Sequence, residues 1–238
     1  MDRRTLIKTG ILAGAAFSAA PRVFAQPASP TAARDLQLAE LAQREIALAG
    51  SALWHRDLVA IADFGLHSAS KRFHFVDMDG GRVDSFLVTH GYGSDKEHDG
   101  WLKRYSNIEE SLCTCRGSFR TRSWYDGKYG TSMRIDGMDP TNSNALPRAI
   151  VMHPADYATE EHVQRWGKLG RSDGCFAMDP AKFHEALIRL SGGRLLFAGS
   201  LGLAEDGSVV TPPDPQTDML PQTATGGTIE RDIQRITV

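Results

Sequence analysis

The hydrophobic period changes several times along the chain, and each change marks an element. Between Asp35 and Leu48, apolar side chains at Leu36, Leu38, Leu41, Ala42 and Ile46 recur three and four residues apart, which predicts an amphipathic helix ending near Gly50. From residue 58 the period changes. LVAIADF (58–64) and RFHFVD (72–77) read as strands, MDGG (78–81) carries turn residues, and RVDSFLVT (82–89) reads as the returning strand. An antiparallel meander is expected there. Residues 90–111 are polar and glycine-rich, as a loop is. Strands are expected again near 112–122, at 130–135 and at 149–153.

The next segments carry helix punctuation. In ATEEHVQRWG (158–167), Thr159 is a natural N-cap, Glu160 and Glu161 sit at the positive end, and Gly167 closes the turn. Asp179 followed by Pro180 opens a second helix that runs to Leu190 and stops at Gly192 and Gly193. RLLFAG (194–199) reads as a last strand, and residues 204–228, rich in Pro, Thr and Gly, as a surface tail or wrapping segment. Many short strands and few helices predict a mostly β domain, a sandwich or barrel, rather than a doubly wound α/β sheet. The expected division is 1–25, an N-terminal helical segment at 26–56, the main domain at 57–203, and a tail at 204–238.

The 238 residues, 41% hydrophobic and 24% charged, are ordinary for a globular chain. The first 25 are not. Arg3 and Arg4 with Lys8 precede a short apolar run from Gly10 to Ala20, and Val23 and Ala25 fit a small-residue cleavage site. That is a twin-arginine type of export signal, which predicts a periplasmic protein. Its removal leaves 23 basic and 28 acidic side chains, net −5, which gives no electrostatic case for a nucleic-acid partner. No later segment is long and apolar enough to span a bilayer, and the oligomeric state is not legible.

An exported chain with three cysteines leaves at least one thiol outside any internal disulfide. Cys113 and Cys115 read as packing residues, since a bridge between them in a strand would have to span about 7 Å between Cα atoms. Cys175 sits differently, in the polar turn GRSDGC (170–175). His153 ends the apolar run IVMH, 22 residues upstream, and the intervening helix and glycine loop can bring the chain back to that strand end. An imidazole beside a thiol can take its proton, and the thiolate attacks a carbonyl. The backbone N–H groups of Asp173, Gly174 and Cys175 could then meet the developing oxyanion. A zinc site from His153, His162 and Cys175 lacks standard ligand spacing, so no metal is expected. Trp101, Trp124 and Tyr125 are candidates for a sugar-binding face, although aromatic residues near strands are commonly core.

HPADYATEEHVQRWGKLGRSDGC (153–175) resembles the active-site segment of the L,D-transpeptidase (YkuD-like) family, second subfamily. VTHGYGSD (88–95), YSNIEESL (105–112), YDGKYGTSMRIDGMD (125–139) and NALPRAIVMHPADY (144–157) agree in order. The resemblance implies a β-sandwich-like barrel with Cys175 as nucleophile at the mouth of a groove. It implies His153 as general base and later acid, with the Pro154 carbonyl orienting the ring. Asp173 and Gly174 would form the oxyanion loop, with Arg171 and Ser172 beside it. Where most members carry His before the Gly-Cys pair and Arg two residues after the cysteine, this chain has Asp173 and Ala177. Arg171 or Arg148 is therefore the candidate to hold substrate anions, and His90 and Ser94 are candidate groove residues. The implied partners are peptidoglycan stem peptides, donor and acceptor, with no cofactor. The tetrapeptide donor would lose D-Ala and pass from a Cys thioester to an amine, in a 3–3 or a 1–3 crosslink. Water as acceptor would make an L,D-carboxypeptidase, and a non-catalytic wall-binding module is the third alternative.

Overall fold

The computed structural model describes residues 30–220. The expected export signal and the end of the expected tail lie outside the described residues. The elements are α1 (Pro30–Ala49), β1 (Leu58–Asp63), β2 (Phe73–Asp77), β3 (Val83–Phe86), β4 (Arg104–Ser106), β5 (Gly117–Gly127), β6 (Gly130–Gly137), β7 (Val151–Pro154), α2 (Glu160–Trp166), β8 (Phe176–Met178), α3 (Pro180–Leu190), β9 (Leu195–Gly199) and β10 (Gln216–Asp218). Eight strands form one mixed sheet in the order β3-β2-β1-β9-β5-β6-β7-β8.

Strand alternation sorts side chains between two faces. Leu58, Ala60 and Ala62 of β1 enter the inner cluster with Phe119, Met133, Met152, Phe176 and Leu196. Val59 and Ile61 enter the outer cluster with Leu195 and Phe197. The inner face wraps α3 through Phe183, Ala186 and Leu190, spaced for one helical face. The outer face is covered by α1 through Leu38, Leu41, Ala42 and Ala49. Leu36, expected on that stripe, is instead 60% exposed.

The sheet curls toward closure. Chain leaving β3 at one edge reaches chain entering β8 at the other: Thr89 N donates to the Ala177 carbonyl at 2.9 Å, and Tyr92 N to the Ser172 carbonyl at 2.7 Å. The expected mostly β, barrel-like domain with an N-terminal helix is what the residues form. Three short strands were not expected. β4 lies inside the segment read as loop, β10 inside the segment read as tail, and β8 directly follows Cys175. β10 pairs parallel with β4, and the Arg104–Asp218 ion pair ties the two together. Among the described residues no helix is long and apolar enough to cross a membrane.

Candidate active site

β7 and β8 run parallel, with Met152 opposite Phe176 and His153 opposite Ala177. Met152 and Phe176 point into the inner cluster. His153 and Ala177 therefore face the other way, and Cys175 lies in the turn that leads directly into β8. The pairing of β7 with β8 thus brings the strand end that carries His153 beside the turn that ends in Cys175. The excursion between them is closed by α2, where Thr159 Oγ1 accepts the His162 N–H at 3.2 Å and Gly167 ends the helix at φ +71°.

The two groups rest uncoupled. His153 is 1% exposed and its Nδ1 lies 2.9 Å from the Pro154 carbonyl. A carbonyl only accepts, so Nδ1 carries the hydrogen and Nε2 keeps its lone pair. Burial lowers the His153 pKa, against the Pro154 hydrogen bond and the Asp173 charge. The imidazole is therefore neutral and basic at Nε2. The Cys175 sulfur donates to the Ala149 carbonyl at 3.6 Å, and Cys175 is 7% exposed. Burial pushes this thiol up to about 11, with the Asp173 charge adding to the rise and the Val151 N–H and the Arg148 charge opposing it. Ala149 holds its carbonyl there from a left-handed backbone, φ +53°, rare for alanine. Among the described residues no hydrogen bond joins His153 to Cys175. The two groups thus rest as a thiol and a neutral imidazole, each hydrogen-bonded to a different backbone carbonyl.

Ser172 builds the turn that carries the cysteine. Its Oγ donates to the Cys175 carbonyl at 2.6 Å and accepts the Gly174 N–H at 3.2 Å. Gly174 has φ +108°, and a Cβ there would lie 2.5 Å from the Cys113 carbonyl oxygen, so glycine is required twice over. Its N–H, one of the three expected oxyanion donors, is occupied by Ser172. Asp173 is exposed at the rim.

The residues expected to bind substrate sit elsewhere than on a groove. His90 is 1% exposed, with Arg72 donating to Nδ1 at 2.9 Å and Nε2–H facing the Asp95 carboxylate at 3.2 Å. Ser94 is equally buried and accepts the Thr114 N–H at 3.0 Å. Polar side chains of a glycine-rich loop here satisfy one another beneath it. Arg171 donates to the Asp95 and Lys96 carbonyls and stacks 4.4 Å from the Tyr92 ring centroid. Arg148 donates to the Ser106 and Cys113 carbonyls, the Ser111 hydroxyl and the Cys115 sulfur. Both guanidiniums hold backbone carbonyls, and neither lines the two clefts that share Pro154 and Pro180. Cys113 and Cys115 are buried free thiols. No group of three or more His, Cys, Asp or Glu side chains placed to hold a metal occurs among the described residues.

The open space lies beside His153. A cleft of about 410 Å³ is lined by Tyr129, His153, Pro154, Ala155, Asp156, Tyr157 and Pro180. Tyr129, at the tip of the β5–β6 hairpin, stacks on the imidazole with ring centroids 4.5 Å apart and an interplanar angle of 18°. Tyr129 and Tyr157 were not singled out from the sequence, although both lie in the blocks that carried the resemblance. A second cleft, of about 420 Å³, shares Pro154 and Pro180 with the first and contains Trp124. Of the other aromatic candidates, Trp101 packs edge-on against His67, and the Arg134 guanidinium lies over Tyr125.

Residues 34–198, more than half of the chain, match the YkuD_2 family, the L,D-transpeptidase catalytic domain. The chain belongs to this L,D-transpeptidase catalytic domain family. No curated protein sequence matches it. Similar solved structures include an L,D-transpeptidase from Mycobacterium smegmatis, 13% identical over 60% of this chain and 59% of that one, TM-score 0.37. L,D-transpeptidase 1 of Mycobacterium tuberculosis is 13% identical over 60% and 62%, TM-score 0.34. The helical cell shape determining protein Pgp2 of Campylobacter jejuni, as its K307A mutant, is 14% identical over 74% and 57%, TM-score 0.37. The chain thus spans about three-fifths of the length of each. The family match begins at residue 34, inside α1, and so takes in most of the helix that covers the outer face.

Proposed function

We propose that this protein is a peptidoglycan L,D-transpeptidase acting outside the cytoplasm, with Cys175 as nucleophile and His153 as its base. The observation that supports the reading is the parallel pairing of β7 with β8, which brings the His153 strand end beside the turn ending in Cys175, with Nε2 left free to accept a proton by the Pro154 hydrogen bond. The Arg3–Arg4 leader would deliver the chain to its substrate.

The chemistry follows from the resting state. Donor binding draws the sulfur off the Ala149 carbonyl, and Nε2 of His153 takes the thiol proton. The thiolate attacks the carbonyl of stem residue three, and a C–S bond forms. The Val151 N–H, already aimed at the sulfur, stabilises the thiolate, and the Asp173 and Cys175 N–H groups are the oxyanion donors left in the turn. Collapse breaks the C–N bond to D-Ala, whose nitrogen takes the proton from His153. An acceptor amine then attacks the thioester, gives its proton to His153, and expels the thiolate, which His153 reprotonates. The energy of the broken peptide bond is carried by the thioester, so no nucleotide is consumed.

Incubation with disaccharide-tetrapeptide, read by mass, tests the proposal. A dimer lacking one D-Ala is expected, and fragmentation identifies the acceptor amine. Tripeptide and free D-Ala alone would mean a carboxypeptidase, and unchanged substrate would mean a wall-binding module.

A further inference from the structure

The second cleft is the open end of the inner face, and a strand irregularity builds it. Thr121 on β5 pairs with Ile135 on β6, and the next pair is Trp124 with Met133, so three steps on β5 match two on β6. Unbroken alternation from the buried Thr121 would send Trp124 to the opposite face. The extra residue returns it to the face it shares with Met133, which is buried in the inner cluster. Beyond the packed core, Trp124 stays 58% exposed, with Phe183, His184 and Leu187 of α3 across from it and Pro154 and Pro180 between it and the His153 cleft.

We propose that this cleft binds the N-acetylated sugar of the donor, with its apolar face stacked on Trp124; the inference rests on the peptidoglycan reading above. Three observations select a sugar over more peptide. His184 apart, the lining side chains carry no ionisable group, whereas the stem beyond its first residue carries carboxylates and an amine that require charged partners. A flat exposed indole opposite apolar walls, with the Thr131 hydroxyl beside it, suits a neutral ring with one apolar face and polar edges. The reach also fits. Three extended stem residues span about 10 Å, so a carbonyl held beside His153 leaves its sugar in the adjoining cleft.

The test pairs kinetics with direct binding. kcat/KM is measured for disaccharide-tetrapeptide and for free tetrapeptide in the wild type, Trp124→Ala and Trp124→Phe, with circular dichroism as the folding control. Stem-free N-acetylglucosaminyl-N-acetylmuramic acid is titrated calorimetrically into each. The wild type is expected to prefer the glycosylated donor about five- to tenfold, the scale of one aromatic contact. Trp124→Ala should bring that ratio close to one and abolish disaccharide binding, while Trp124→Phe keeps part of both. A ratio that Trp124→Ala leaves unchanged, a wild type with no preference, or a titration in which the tetrapeptide displaces the disaccharide would overturn the proposal. Wild-type turnover of free tetrapeptide tests the catalytic reading separately, and the disaccharide titration decides the subsite whether or not turnover is seen.

Discussion

The uncoupled resting pair has a quantitative consequence for Cys175. Its thiol is pushed up to about 11 by burial, from an ordinary 9. At pH 8 that shift lowers the thiolate fraction from about 10% to about 0.1%, roughly a hundredfold. The more basic thiolate is intrinsically more nucleophilic, by about six- to tenfold over two pKa units, so the net rate should fall about tenfold below that of a free cysteine. With only 7% of the residue exposed, access slows it further. The assay is iodoacetamide labelling of the free protein from pH 6 to 10.5, with peptide mapping to separate Cys175 from the buried Cys113 and Cys115. The labelling rate of Cys175 should rise close to tenfold per pH unit up to about pH 10. A plateau already reached near pH 6–7 would reveal a preformed thiolate–imidazolium pair and refute the reasoning.

Further expectations follow from named contacts. Asp173→Asn removes a charge that raises the Cys175 pKa, so labelling at pH 8 should quicken about two- to fivefold; an unchanged rate would show that solvent screens the carboxylate completely. Arg148→Ala should cost about 2–4 kcal/mol of stability in urea melts without raising KM, because its guanidinium holds the Ser106 and Cys113 carbonyls; a raised KM at full stability would restore its role as an anion ligand. His74, fully buried, is held down to about 3 by desolvation, so the unfolded chain takes up a proton between pH 6.5 and 3 that the folded chain refuses. Stability should therefore be lost as pH falls through that window, by up to about 1.4 kcal/mol per unit from this group, and His74→Gln should flatten the slope by about one proton; an identical slope would contradict the assignment.

Much of the fold was legible because its elements announce themselves locally. The short apolar runs of β1 and β2, the Thr159 and Gly167 caps of α2, and the Asp179–Pro180 start of α3 are local signals. β4, β8 and β10 are three residues each and exist through their partners, so no period betrays them. In the candidate site, the strand-end His153 and the turn around Cys175 could be read from residue types. The burial of His90 and Ser94 was not legible because a polar, glycine-rich loop looks solvated, whereas Arg72, His90 and Asp95 satisfy one another under it. Arg148 and Arg171 looked free because a sequence does not show which carbonyls a guanidinium will meet. Ala149 carries no mark of its left-handed backbone, and the face that Trp124 takes depends on a bulge that only pairing reveals.

The central claim is that Cys175 becomes acylated with His153 as its base, and trapping that intermediate tests it most directly. Wild-type protein is quenched in acid within seconds of mixing with tetrapeptide donor, and its intact mass and peptide map are taken. A mass gain equal to the donor minus D-Ala, mapped to Cys175, lost in Cys175→Ala and strongly reduced in His153→Ala, is the predicted result. An adduct on another residue, or D-Ala release that persists in Cys175→Ala, would contradict it.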